Sequence, residues 1–232
     1  MWPSVVHFSI WSSERQVQLS KMLDLGPLLA GEESKPRGYQ RFIFELAKSR
    51  NTIVVLPTGT GKTLISLLLI KHVTERDYAS PKKRVSVFLA PHVPLVVQQT
   101  TYLRANCGFE VRAYHGDCGC DQWSTRRWEE EIESTNCLVM TPAICESALR
   151  RGNLAMSQIN LIVFDECHNA RKNSIYNQII ALHYIPCLDQ NKPLIFGMTA
   201  SPMSDRGKDD IKMAISHYPG VSQRLKTLHN QP

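Results

Sequence analysis

No apolar run in this sequence is long enough to cross a bilayer; the longest is closed by Lys71. The opening stretch, MWPSVVHFSIWSSER, lacks a basic start, and His7 and Ser9 interrupt its apolar residues, so it does not read as a secretory signal. The 7 cysteines are scattered and odd in number, which argues against a disulfide framework. The expectation is an intracellular protein with reduced thiols, in cytoplasm or nucleus, with no membrane partner. Internal repeats and low-complexity tracts are also missing. Charge of either sign is moderate: 27 Lys and Arg stand against 21 Asp and Glu, a formal net of +6. That excess permits a phosphate or nucleic-acid partner without demanding one. What remains is globular composition, 43% hydrophobic and 21% charged over 232 residues, enough for one large domain or two small ones.

Short β-branched runs alternate with longer amphipathic ones. TIVVL, RVSVFLA, EVRAY, NCLVM, INLIVF and KPLIFGM read as strands. Between them, KTLISLLLIKHV, PLVVQQTTYLRAN, STRRWEEEIES, PAICESALRRG and SIYNQIIALHYI read as helices. Ser124 is placed to cap one of these, and Pro142 and Gly152 bracket another. Ahead of the first strand, YQRFIFELAKSR puts Tyr39, Phe42, Ile43, Leu46 and Ala47 on one helical face. Strand–helix alternation of this kind predicts an α/β fold with a mostly parallel sheet and helices on both faces. Only residues 1–34 resist the pattern, although SERQVQLSKMLDL has helical character.

The stretch LPTGTGKT falls at a predicted strand-to-helix turn. Glycine there lets the backbone take positive φ and approach a ligand closely. Free N–H groups and the helix dipole converge on the same point, which makes a phosphate cradle. Gly59, Thr60 and Gly61 would donate N–H groups, Lys62 would reach the β- and γ-phosphates, and the Thr63 hydroxyl would ligate Mg²⁺. The strict G-x-x-x-x-G-K-[ST] pattern is not met, because Leu56 occupies the first glycine position. Nucleotide hydrolysis also needs an acid for the metal and a base for water. LIVFDECHNA offers both at the end of an apolar strand: Asp165 to hold Mg²⁺ through water, and Glu166 to orient and deprotonate the attacking water.

LPTGTGKT, DECH and MTASP, in that order, resemble motifs I, II and III of superfamily-2 helicases. The Asp-Glu-Cys-His form resembles the branch holding Dicer and the RIG-I-like RNA sensors. The segment CGCDQWSTRRWEEEIESTNCLVMTPAICESALRRG, with INLIVFDECHNA and IFGMTASP, is similar to Dicer-like proteins, and the likeness runs from about Lys35 to Pro202. The resemblance implies a RecA-like P-loop NTPase lobe over residues 35–220, an uncertain extension over 1–34 and a tail over 221–232. It implies ATP and Mg²⁺ as cofactors, with Leu56, Pro57, Thr58, Gly59, Thr60, Gly61, Lys62 and Thr63 at the phosphates. It also places Arg37 and Gln40 of KPRGYQ at the adenine, where an amide can bond two ring positions. APHVPLVVQQ and VMTPAI resemble motifs Ia and Ib, which puts Pro91, His92, Gln98, Thr141 and Pro142 along an RNA backbone. His92 departs from the Thr or Arg of many relatives. Thr199 and Ser201 of TAS, with His168, would couple nucleotide state to RNA.

The implied partners are RNA, in double-stranded form, and a second helicase lobe. Motifs IV to VI, RNase III, PAZ and double-stranded-RNA-binding sequences are not found, so a fragment of a longer RNA-silencing protein is expected. Two rival readings are a RIG-I-like sensor or DNA-remodelling helicase of the same branch, and a non-catalytic, zinc-stabilised nucleic-acid-binding module. The zinc reading would draw on Cys107, His115, Cys118 and Cys120, whose spacing matches no paired arrangement. Cys167 and His168, adjacent at a strand end, diverge and make a poor nucleophile–base pair. RRWEEEIE reads as an exposed helix face with i,i+4 ion pairs.

Overall fold

The computed structural model describes residues 6–9, 36–78, 80, 82–170, 174–188, 190 and 192–200. Among the described residues seven strands form one sheet: β1 (Val6–Ser9), β2 (Thr52–Val55), β3 (Val85–Leu89), β4 (Val111–Tyr114), β5 (Cys137–Met140), β6 (Ile159–Asp165) and β7 (Leu194–Thr199). Their spatial order is β1-β2-β7-β6-β3-β5-β4, and every pairing is parallel. The helices are α1 (Gly38–Ala47), α2 (Lys62–Asp77), α3 (Val93–Cys107), α4 (Thr125–Ser134), α5 (Pro142–Arg150) and the short α6 (Ile175–Gln178). The α/β sheet read from the sequence is the one observed.

Handedness decides which helix covers which face. From β2 through β3 to β4 the chain moves one way across the sheet; from β4 through β5 and β6 to β7 it moves back. Right-handed crossovers therefore put α2 and α3 on one face, and α4, α5 and α6 on the other. The cores follow. On one face Ile43, Ile65, Leu69, Ile70, Val96 and Leu103 meet Val54, Phe88, Val139 and Val163. On the other Trp128, Ile132, Ile144, Ala148 and Ile180 meet Ile53, Val87, Leu138 and Ile162. Consecutive strand residues alternate between the two sets, as period-2 geometry requires, and burial on both sides is why these strands are apolar throughout.

Several local readings hold. The Ser124 hydroxyl caps α4 by accepting from the Arg127 N–H, Pro142 opens α5, and Gly152 beyond its end takes φ 74°. Others are extended, changed or fall outside the described residues. Strand β1 lies inside the 1–34 stretch that resisted assignment, and pairs in register with β2 from Val6↔Thr52 to Ser9↔Val55. The helix read in SERQVQLSKMLDL, residues 13–25, lies outside the described residues, as do Ser201 and everything after it. SIYNQIIALHYI is not one α-helix: α6 passes into π-helical turns over Ile179–Tyr184. Buried tyrosines pin both ends, Tyr176 to main-chain carbonyls and Tyr184 through the Asn51 amide, which donates to its hydroxyl at 2.9 Å. Helix α4 is not simply a solvated charged face. The pairs Arg126–Glu130 and Arg127–Glu131 are present, but Glu131 is buried and Trp128 is packed against Tyr114 and Trp123.

Glu131 accepts from Arg112 on edge strand β4 at 2.7 Å and from the Tyr114 hydroxyl at 2.8 Å. Burial would raise its pKa, but the hydrogen bonds from Arg112 and Tyr114 and the nearby guanidinium charges outweigh that and hold it below its ordinary value. A carboxyl depressed on folding stabilises above its unfolded pKa, about 4.3, and loses that contribution as pH falls through the lower folded value. Glu131→Gln should cost about 2 kcal/mol in urea unfolding at neutral pH. The difference from wild type should shrink below about pH 4.

Candidate functional site

All strands are parallel, so their C-terminal ends share one edge, where α/β sheets place ligand crevices. The phosphate-loop residues leave β2 there. Buried Leu56 donates its N–H to the Thr199 carbonyl at 3.0 Å, which fastens the loop to the end of β7. Gly59 and Gly61 take φ 79° and 81°, left-handed values that cost glycine little. The Thr60 hydroxyl donates to the Pro57 carbonyl at 2.7 Å. Helix α2 then starts at Lys62 and runs 16 residues, with Thr63 in its first turn. Pro57, Thr58 and Gly59 are exposed. The Lys62 ammonium donates to the carbonyls of Leu56 at 2.8 Å and Pro57 at 3.2 Å. Burial lowers its pKa, against the opposing pull of Glu166 and Asp165.

Two residues of α1 brace this loop. The Gln40 side-chain carbonyl accepts from the Arg37 N–H at 2.7 Å, and its amide donates to the Thr60 carbonyl at 2.8 Å. The Tyr39 hydroxyl donates to the same Thr60 carbonyl at 2.6 Å. A Cβ on Gly61 would stand 2.3 Å from the Gln40 amide nitrogen, so the glycine admits the brace as well as the turn. The sequence marks Tyr39 only as a core residue of α1; its hydroxyl, one position before Gln40, is the signal for this second role. Arg37 is exposed at the start of α1.

Asp165 ends β6, and Glu166 follows in the left-handed region at φ 47°. That turn takes Glu166 off the strand's alternation, and both carboxylates lie near enough to Lys62 to act on its charge. The Glu166 N–H donates to the Asp165 carboxylate at 2.9 Å. Burial first, and the Glu166 charge second, push the Asp165 carboxyl up to about 6. Thr199 donates to the Glu166 carboxylate at 3.3 Å, and His168 Nδ1 lies 2.8 Å from the Thr199 hydroxyl and 3.1 Å from Glu166. Glu166, His168 and Thr199 thus form one cluster. Cys167 turns inward; its thiol is buried, which pushes its pKa up to about 12, so it is a packing residue.

The residues assigned to a nucleic-acid backbone divide. Pro91, Thr141 and Pro142 line one groove of about 230 Å³ with Asn169, Ile175 and Tyr176. His92 and Gln98 are exposed on the start of α3. Its neighbour Gln99, not selected from the sequence, is buried and donates to the Asp165 carboxylate at 3.5 Å. Sequence alone does not separate the two glutamines; the helical angle fixed by Val96 and Thr100 in the core does. Among the described residues no group of three or more His, Cys, Asp or Glu could hold a metal ion. Of the zinc candidates, Cys107 and Cys120 are buried, Cys118 is exposed, and Cys120 donates to the His115 carbonyl at 3.6 Å. No helix among the described residues is long and apolar enough to cross a membrane.

Gly61→Ala should destabilise the chain by roughly 1–3 kcal/mol, from the left-handed backbone and the displaced Gln40 amide. Adding Gln40→Ala should recover part of that loss, so a double-mutant cycle in urea should give a coupling of at least about 0.5 kcal/mol.

Comparison with known proteins matches residues 37–208 to the DEAD/DEAH box helicase family. The chain is 44% identical over 175 residues to Endoribonuclease Dicer homolog 1 of Arabidopsis thaliana, covering 75% of this chain and 9% of that protein. It is 44% identical over 199 residues to Dicer-like protein 1 of Pyricularia oryzae, covering 83% of this chain and 12% of the relative. It therefore spans about a tenth of the length of these curated relatives. Among solved structures, the Hef helicase domain of Pyrococcus furiosus superposes with a TM-score of 0.61 at 30% identity, covering 77% of this chain and 36% of that one. With the phosphate loop, the DECH turn and the Thr199 cluster meeting at one sheet edge, this chain belongs to the DEAD/DEAH box helicase family.

Proposed function

We propose that this chain is the ATP-binding, first RecA-like lobe of a Dicer-like, RNA-dependent ATPase that acts on double-stranded RNA in RNA silencing, with residues 35–220 forming the lobe. The observation that carries this reading is the meeting of Lys62, Asp165, Glu166 and Thr199 at adjacent strand ends beside the N-terminus of α2. The Dicer names of its relatives support the RNA substrate, which the groove alone would not distinguish from DNA. In the whole protein a second lobe would face this edge. Residues 1–34 and 221–232 would flank the lobe, and the site's intracellular setting would be cytoplasm or nucleus.

The residues present fit Mg·ATP. The α2 N-terminus and the N–H groups of Gly59, Thr60 and Gly61 would take phosphate oxygens, with Leu56, Pro57 and Thr58 shaping the approach. Lys62 would exchange its bonds to the Leu56 and Pro57 carbonyls for phosphate oxygens. Gln40 keeps one amide N–H and one carbonyl lone pair beyond its two bonds in the fold, enough to read an adenine edge beside Arg37. Thr63 and Asp165 would hold Mg²⁺, a cation that also draws ligands from phosphates and water and so needs few from protein. The buried Asp165 carboxylate and the partly exposed Glu166 carboxylate beside it favour positive charge at that point. Bound Mg²⁺ would supply charge neutralisation at the phosphates. Glu166 would take the proton of the attacking water, and His168, Thr199 and Ser201 would link that carboxylate to RNA. Pro91, Thr141 and Pro142, with His92 and Gln98 beside them, would follow the RNA backbone.

Lys62→Ala should weaken Mg·ATP binding by roughly a hundredfold or more without unfolding the chain, as measured by titration calorimetry with a melting control. Unchanged affinity would sink the phosphate-loop assignment. In the full-length protein, Glu166→Gln should keep ATP affinity and lose about 10²- to 10⁴-fold in RNA-stimulated turnover. Comparing double-stranded RNA, single-stranded RNA and DNA as activators tests the substrate: stimulation by DNA alone would move the protein to the DNA-remodelling branch, and wild-type rates in Glu166→Gln would remove Glu166 as the base.

A further inference from the structure

One buried hydroxyl lies between the groove and the carboxylates. The Tyr176 ring borders the groove with Pro91, Thr141 and Asn169, and is itself buried. Its hydroxyl donates to the Asp165 carbonyl at 2.8 Å, with the Leu89 carbonyl also within reach at 3.3 Å. Both carbonyls sit at the C-terminal ends of adjacent strands, β6 and β3, where the sheet ladder runs out. Both partners are main-chain carbonyls, which can only accept, so the hydroxyl is the donor. The ring is fixed by an edge-on contact with Phe164, centroids 5.2 Å apart.

The Asp165 carbonyl belongs to the peptide unit joining Asp165 to Glu166. The N–H of that same unit donates to the Asp165 carboxylate at 2.9 Å. The peptide plane is therefore held at both ends, by Tyr176 on the carbonyl and by Asp165 itself on the amide. Its orientation sets the φ of 47° at Glu166, a conformation that is costly for a residue with a Cβ and persists only where neighbours impose it. Turning this plane would take the Glu166 N–H off the Asp165 carboxylate and release the left-handed turn from which Glu166 meets Thr199. Tyr176 thus borders the groove and holds the Asp165 carbonyl through its hydroxyl, so one side chain spans the space between the groove and this peptide.

Resting on the ATPase reading above, we propose that Tyr176 is a positioning residue: its hydroxyl locks the Asp165–Glu166 peptide in the hydrolytic geometry and transmits occupancy of the nucleic-acid groove to that peptide. It acts through the main chain and touches neither nucleotide nor water.

The test uses the full-length protein and two substitutions. Tyr176→Phe removes only the oxygen and keeps the ring against Phe164 and the groove. Tyr176→Leu removes the ring as well. With double-stranded RNA as activator, Tyr176→Phe should lower kcat by roughly ten- to a hundredfold, the scale set by misplacing reacting groups. KM for ATP, Kd for RNA and the melting temperature should stay close to wild type. Tyr176→Leu should lose melting temperature and kcat together, so that restoring the ring as Phe rescues stability without rescuing turnover. Wild-type kcat in Tyr176→Phe would overturn the proposal, as would a fall in kcat matched by losses of RNA affinity and stability. A wild-type protein inert toward ATP with every nucleic acid would overturn the ATPase reading and this proposal with it, whereas an active wild type with an unaffected Tyr176→Phe would overturn this proposal alone.

Discussion

The parallel pairing of β2, β7 and β6 sets the distances on which the site depends. Val55 stands beside Thr199, and Met198 beside Asp165. The phosphate loop, the Thr199 hydroxyl and the two carboxylates therefore emerge from neighbouring strands at one level. A one-residue slip of β7 would turn its side chains to opposite faces and carry Thr199 away from Glu166. The apolar runs on both sides of these strands prevent that slip. Functional geometry is in this sense a consequence of core packing: Val54, Val163 and Phe196 fix the register on one face and Ile53, Ile162 and Ile195 on the other.

The same edge gathers charge that a core would not tolerate. Asp165 is buried and its carboxyl is raised by burial and by Glu166, while Lys62 pulls it the other way and is itself lowered by burial. Each of these groups stands at a cost relative to water, as desolvation and like charge dictate. The fold meets that cost with directed polar contacts: Gln99 and the Glu166 N–H on Asp165, and the Leu56 and Pro57 carbonyls on Lys62. Strain at Glu166 belongs to the same account. Concentrated charge, desolvation and a left-handed non-glycine residue coincide at one sheet edge, as they do at functional sites, and among the described residues no other non-glycine residue takes positive φ.

Much of this was legible in the amino-acid order because doubly covered strands leave a strong mark: INLIVF and NCLVM admit few other readings, and the Ser124 cap and Gly152 terminus obey local chemistry. The N-terminal strand was harder, since β1 is a four-residue strand whose pairing with β2 is non-local. Tertiary anchoring also overrode local pattern in SIYNQIIALHYI, where helical periodicity is good but Tyr176 and Tyr184 are pinned at either end of a π-helical stretch. Glu131 misled for a related reason. Its i,i+4 pairing with Arg127 is a surface signature, whereas its burial comes from Arg112 and Tyr114 on a strand some 20 residues earlier. Residues acting through another residue's main chain, such as Tyr39 on Thr60 and Tyr176 on Asp165, carry no motif of their own.

Close packing finally explains the third letter of DECH. A Cβ on Gly197 would lie 2.9 Å from Ile53 Cγ1 and 3.2 Å from the Cys167 sulfur, so β7 runs against both without room for a methyl group. Cys167 is small enough to enter that space and apolar enough to stay there, protonated by burial. Because it sits so close to β7, the turn carrying Glu166 and His168 is drawn to within hydrogen-bond reach of Thr199. A bulkier side chain at 167, or a methyl at 197, would push that turn outward by the fraction of an ångström that separates a hydrogen bond from none. Cys167 and Gly197 thus act on the polar cluster without a polar contact of their own, by fixing how closely the turn and β7 approach.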